Sequence, residues 1–188
     1  MDKDKAALRR TLRLRRRQFV EQAGPAMLRL HAIAIARIAL VAAGAPKSLA
    51  AYVGDGREVD PLPALELACA QGIVTALPHL DDRDGPMRFL AWRPGDPLVP
   101  GPYGIAQPHP QAPEIEPAAI LTPLVGFDRA GRRLGQGGGF YDRAFARHAT
   151  ARRIGLAWSV QEVATVPTED WDLPLDAIVT EREWIRPA

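Results

Sequence analysis

The chain has 188 residues, enough for one domain with a sizeable core, and its 47% hydrophobic and 24% charged residues are ordinary for a globular protein. A formal net charge of +2 gives no ground for a general polyanion-binding role, although eight basic residues fall between Lys3 and Arg17. The single cysteine, Cys69, excludes an intramolecular disulfide and suits a reducing compartment, where a small buried residue in a helix is its expected role.

Lys5 to Phe19 reads as a helix rich in Arg and Leu, with Leu8, Leu12 and the stem of Arg16 on one face. Lys5 and Arg9 lie four apart, so their cationic heads project from the same side. No interleaved aromatics mark the helix as a nucleic-acid reader. The charged start, without an apolar core behind it, does not read as a secretory signal. A second helix follows Gly24-Pro25 and stops near Gly44, and its Ala, Ile and Leu residues on several sides predict that it is largely buried. His31 within it reads as a packed or surface residue. The apolar stretch from Met27 to Ala43 carries Arg29, His31 and Arg37 and reads as too short and too charged for a membrane span. A soluble, cytoplasmic protein is therefore expected.

From Ser48 the pattern turns to alternating strands and helices. Strands are expected at Ser48–Val53, Ile73–Leu77, Met87–Trp92, Ala118–Thr122, Ile154–Trp158 and Ala177–Thr180, and helices at Leu62–Gln71 and Tyr141–Ala149. The proline-rich segment from Pro94 to Pro117 reads as an irregular surface excursion. This alternation predicts a three-layer α/β/α fold with a mostly parallel central sheet behind N-terminal helices, as one domain over residues 1–188. Ligands of such sheets sit beyond the carboxyl ends of the strands, where the loops at Gly54, Pro78 and Gly126 to Gly139 would gather.

The most distinctive stretch runs from Leu121 to Arg143. A strand breaks at Pro123, and the chain passes Arg132 and Arg133. It then crosses Gly135, Gly137, Gly138 and Gly139, and Tyr141 and Asp142 open a helix. Strand, glycine loop and helix together point backbone N–H groups and a positive helix end at an anion. Arg133 adds a phosphate partner and Asp142 a hard-cation ligand. The loop is neither a Walker A motif nor a dinucleotide fingerprint, since no Gly-Lys-Ser/Thr follows and the third required glycine falls on Phe140.

The stretch resembles the signature of the 5-formyltetrahydrofolate cyclo-ligase (5,10-methenyltetrahydrofolate synthetase) family through Pro123, Phe127, Asp128, Gly131, Arg133, Leu134, Gly135, Gly137, Gly139, Tyr141 and Asp142. The likeness extends over nearly the whole chain, to Glu58-Val59-Asp60, to Gly104-Ile105-Ala106-Gln107-Pro108, and to Gln161, Pro167, Asp172, Thr180 and Glu181. Leu124, Pro61, His79 and Phe140 depart from the family pattern. The resemblance implies ATP- and magnesium-dependent closure of 5-formyltetrahydrofolate to 5,10-methenyltetrahydrofolate, with phosphorylation of the formyl oxygen. It implies ATP contacts at Lys5, Arg9, Arg133, Leu134, Gly135, Gln136, Gly137, Gly138, Gly139, Phe140 and Tyr141. Folate contacts are implied at Val53, Glu58 and Gln136 to Phe140, and magnesium ligands at Asp142 and Asp172. In isolation Asp142 would be a helix-start carboxylate, Asp172 a solvated turn residue and Glu58 a surface-turn residue. A monomer acting on small molecules, with no nucleic-acid or membrane partner, is expected. A paralogue using ATP on another metabolite is the alternative.

Overall fold

The computed structural model describes residues 2–83, 85–169 and 171–187, with the side chains of Asp2 and Lys3 left aside. Helix α1 (Asp2–Ala43) is bent at Gly24, whose φ of 72° and ψ of 163° leave helical space, and Pro25 starts the second arm. The two expected helices are thus joined end to end, the first running past Phe19 to the bend. The second arm is not buried on several sides. Ala32, Ile35, Ala36, Ala39 and Leu40 are buried, whereas Met27, Leu30 and Val41 are exposed, because a helix laid on a sheet buries one stripe. By length and composition alone a helix within Asp4–Ala43 is long and apolar enough to cross a membrane, so its arginines do not shorten the apolar window as the sequence suggests.

After α1 come β1 (Ser48–Ala50), α2 (Leu62–Ala70), β2 (Val74–His79), β3 (Arg88–Ala91), β4 (Val99–Pro100), β5 (Ala106–Gln107) and β6 (Ala119–Pro123). The chain continues through β7 (Gly126–Phe127), β8 (Arg133–Leu134), α3 (Phe140–Arg147), β9 (Arg152–Leu156), β10 (Ala177–Val179) and β11 (Trp184–Ile185). The main sheet has the order β11-β10-β9-β6-β1-β2-β3. Its five inner strands are parallel and both edge strands antiparallel. This is the expected mostly parallel sheet.

Period-two alternation explains the layers. Leu49, Leu121, Ile154, Leu156 and Val179 pack with the second arm of α1 and with α2. Ala50, Ile120 and Ile178 face the opposite side with Phe145 of α3 and Phe89.

Three local features depart from the sequence reading. The proline-rich segment is not wholly irregular, because β4 and β5 pair across a tight turn in which Gly101 N–H donates to Ile105 O at 2.9 Å. β11 forms an unanticipated edge. The turn between Gly126 and Leu134 is a small antiparallel ribbon, β7–β8, closed by the buried Asp128 carboxylate, which accepts from Arg132 Nε at 2.7 Å and Val166 N at 2.8 Å. Two-residue strands carry too little periodicity to be read from sequence.

The strand order reverses at β1, with β2 on one side and β6 on the other, so the loops after β1 and β6 open onto the same crevice. The first arm of α1 lies against the β7–β8 ribbon through Leu12, which packs with Val125, Leu134 and Val166. A Cβ at Gly126 would overlap Leu12 Cδ1. Gly126→Ala should therefore cost about 1–3 kcal/mol through overpacking, read as a lower urea midpoint with an unchanged slope.

Candidate active site

The first arm of α1 carries a stripe of cations, and the crevice supplies their partners in order. Lys5 Nζ lies 3.3 Å from Asp172 Oδ2 and 3.5 Å from Glu169 Oε1. One turn on, Arg9 Nε donates to Gly135 O at 2.9 Å. Arg13 donates to Gln136 Oε1. At the end of the stripe Arg16 donates to Asp55 Oδ2 at 2.9 Å and to Glu58 Oε1 at 3.4 Å. Spacings of four, four and three residues place all four on one helix face.

The loop after β1 is shaped by Asp55, whose Oδ1 accepts from Arg57 N at 2.8 Å and Glu58 N at 3.0 Å. That turn aims Glu58 inward, leaving its side chain only 9% exposed, while Arg16 beside it is 4% exposed. Gln136 Nε2 donates to Glu58 Oε1 at 3.3 Å, joining the glycine loop to the β1 loop. Burial pushes the Glu58 carboxyl above its ordinary range, and the nearby Asp55 charge pushes the same way. Arg16 and the hydrogen bonds from Asp55 N and Gln136 oppose the rise.

The glycine loop needs its glycines where φ is positive, at Gly137 (108°) and at Gly139 (66°), which is the residue preceding α3. No side chain caps α3, so its first N–H groups face the loop and carry the positive end of the helix dipole. Arg133 pairs with Asp142 and lies over the Phe145 ring, 5.0 Å from its centroid. Its Nε is buried without a hydrogen-bond partner, as is Arg16 Nε. Two orphaned guanidinium donors at one crevice are acceptor-seeking groups.

A cleft of about 720 Å³ adjoins Glu58, walled by Val53, Tyr52, Trp92 and Trp158 and by the second arm of α1. Its size and mostly apolar walls suit an extended aromatic ligand held by a few polar groups.

Most of the site residues anticipated from sequence meet here. Lys5 meets Asp172, Arg9 meets Gly135 and Gln136 meets Glu58, while Val53 and Glu58 line the cleft and Arg133 and Asp142 form a pair. Leu134 turns its side chain into the core beside Leu12, so only its backbone faces the loop. Phe140 is half-buried against Tyr103 and Arg143. The Tyr141 hydroxyl is held protonated by burial and by the Glu58 charge. Cys69 is half-buried on α2, rather than fully buried.

A profile of the 5-formyltetrahydrofolate cyclo-ligase family matches residues 1–181. The chain belongs to this family. It is 35% identical over 140 residues to the 5-formyltetrahydrofolate cyclo-ligase of Escherichia coli strain K12, covering 71% of this chain and 77% of that one. It is 32% identical over 148 residues to the cyclo-ligase of Mycolicibacterium smegmatis, covering 74% and 76%. Among solved structures, the 5,10-methenyltetrahydrofolate synthetase of Aquifex aeolicus superposes with a TM-score of 0.79 at 26% identity, covering 97% of this chain and 92% of that one.

The departures from the family pattern are absorbed by packing. Asp60 Oδ1 accepts from Leu62 N at 3.0 Å, capping α2 where Pro61 has no side chain to do so. Leu124 is buried in the core beneath Gly155. His79 is buried between Pro108 O at 3.0 Å and Asp81 at 3.2 Å.

Sequence reasoning stopped at Lys5 and Arg9 and missed Arg13 and Arg16, although the same helical spacing runs on through both. Arg16 is the more consequential. Removing it in Arg16→Met leaves burial and Asp55 less opposed, so the Glu58 carboxyl rises further and protonates at higher pH. Folate KM should then climb as pH falls toward 6 and return toward the parent value at alkaline pH, whereas the parent KM changes less. Steady-state kinetics across pH 5.5 to 9 checks this.

Proposed function

We propose that this chain uses ATP to close 5-formyltetrahydrofolate into 5,10-methenyltetrahydrofolate, releasing ADP and phosphate. The supporting observation is the cationic stripe of α1, which ties the glycine loop to the Glu58 cleft within a chain that belongs to the cyclo-ligase family throughout residues 1–181.

A formamide carbonyl is too unreactive for attack by the neighbouring N10. In the proposed sequence the formyl oxygen displaces ADP from the γ-phosphorus, forming an O–P bond. N10 then attacks the activated formyl carbon and loses its proton. Cleavage of the C–O bond expels phosphate and leaves the N5–C–N10 bridge. Phosphoryl transfer of this kind calls for positioning and charge neutralisation rather than a covalent side chain. The α3 N-terminus, the glycine-loop N–H groups, Lys5, Arg9 and Arg133 supply both. Glu58 presents an acceptor carboxylate to the paired N–H donors at the pterin edge.

Asp142 and Asp172 would hold magnesium. Their donor chemistry fits, since both are hard oxygen ligands, each now paired with a cation that a phosphate could take over: Arg133 and Lys5. Among the described residues no cluster of three or more His, Cys, Asp or Glu could hold a metal by itself. That suits an ion brought in on ATP oxygens and finished by one or two carboxylates. Such an ion would supply positive charge to offset that of the phosphate during transfer.

The proposed working state is a cytoplasmic monomer of one domain, without nucleic-acid or membrane partners. Lys5, Arg9, Arg13 and Arg16 are each engaged by acceptors of the protein itself, which supports a binding-site role for the basic helix over a polyanion-binding one.

Incubation with 5-formyltetrahydrofolate and Mg-ATP should yield methenyl-product absorbance, and its absence with active folate uptake would overturn the reading. Glu58→Gln replaces one acceptor with a donor, so folate affinity should fall by about tenfold or more while ATP affinity holds. Calorimetric titration with each ligand separates the two. Asp142→Asn should keep the fold and lower turnover by on the order of tenfold or more, with a raised magnesium requirement.

A further inference from the structure

The cleft beside Glu58 is lined by three acidic residues, Glu58, Asp60 and Glu66, and by a single basic one, Arg29. Arg29 stands on the second arm of α1 and has no hydrogen bond or ion pair among the described residues, and Glu66 across the cleft on α2 does not reach it. Every acidic side chain in the wall repels an anionic ligand, so an anion entering here has one cation to meet.

The separation of the two ends follows from the helix. Arg16 marks the Glu58 end, and Arg29 lies thirteen residues further along α1. At about 1.5 Å per helical residue the two positions are about 20 Å apart along α1, with the bend at Gly24 between them. The substrate class is itself bipolar in this sense. A pterin bicycle with a donor edge is joined through an aromatic p-aminobenzoyl group to a glutamate bearing two carboxylates. The donor edge matches Glu58, the aromatic middle matches the walls formed by Trp92, Leu98 and Leu28, and the carboxylates match Arg29.

We propose that Arg29 is a specificity-determining residue that binds the glutamyl carboxylates of the folate. The proposal rests on the placement of the pterin at Glu58. A planar guanidinium on an exposed helix face can grip a carboxylate through two parallel hydrogen bonds. Solvent screens the contact, so the effect is modest and falls with salt.

The test compares 5-formyltetrahydrofolate with its analogue lacking the glutamate, 5-formyltetrahydropteroate, in the parent, Arg29→Ala, Arg29→Lys and Glu58→Gln. In the parent the analogue should show a kcat/KM about three- to tenfold lower. Arg29→Ala should lose a like factor on the glutamylated substrate through KM and nothing on the analogue, with Arg29→Lys restoring part of it. Equal losses on both substrates, or no loss on either, overturn the assignment of Arg29. Glu58→Gln should weaken both substrates alike. If it weakens both and Arg29→Ala does not discriminate between them, only the tail contact is wrong. If Glu58→Gln affects neither, the pterin placement falls and the Arg29 assignment with it.

Discussion

The contact on which the site depends is that of Arg16 with Asp55 and Glu58. A guanidinium only 4% exposed stands between two carboxylates of the β1 loop, and it reaches them from the preceding helix, 39 and 42 residues earlier in the chain. Burying that many charges is favourable only when they are paired and hydrogen-bonded. The pairing therefore holds the first arm of α1 over the crevice, and Leu12 against the β7–β8 ribbon supplies the apolar half of the same attachment. With the helix seated, Arg9 meets the glycine loop, Arg13 meets Gln136 and Lys5 meets the Asp172 loop.

The same stripe ties binding to chemistry. Glu58 accepts from Gln136 of the glycine loop, so the proposed folate and nucleotide halves of the site share a hydrogen bond. Each carboxylate assigned to magnesium is neutralised by a cation assigned to phosphate. In the proposed site Asp142 and Asp172 would hold the metal and Arg133 and Lys5 would meet phosphate, so each internal pair supplies one partner to either charge. The free protein thereby keeps its charged groups close to their working positions, which reduces reorganisation when the ligands arrive.

The cleft shows how an ordinary fold rule becomes a specific pocket. Reversal of strand order at β1 opens the crevice, as in other doubly wound sheets. The bend at Gly24 then turns the second arm of α1 along the opening, so that one helix supplies cations at one end and an apolar wall at the other. The exposed Leu30 and Val41 lie on the opposite side of that arm, outside the buried stripe.

Alternation of apolar segments and turn signals was enough to place the parallel sheet and its helices, because strand and helix periods are local properties of the chain. The glycine loop, Arg133 and Asp142 were legible for the same reason: their spacing is itself the motif. The β4–β5 and β7–β8 ribbons and the edge strand β11 were not, since two-residue strands are made by pairing partners and carry little pattern of their own. Nor could sequence tell which faces of α1 are covered, and its second arm turned out half-exposed. The partners of Arg13 and Arg16, the inward turn of Glu58 and the solitary position of Arg29 on the cleft wall are decided by tertiary structure alone. A charged side chain reads the same in sequence whether it meets water or a buried carboxylate, and only the fold brings residues 16 and 58 within hydrogen-bonding distance.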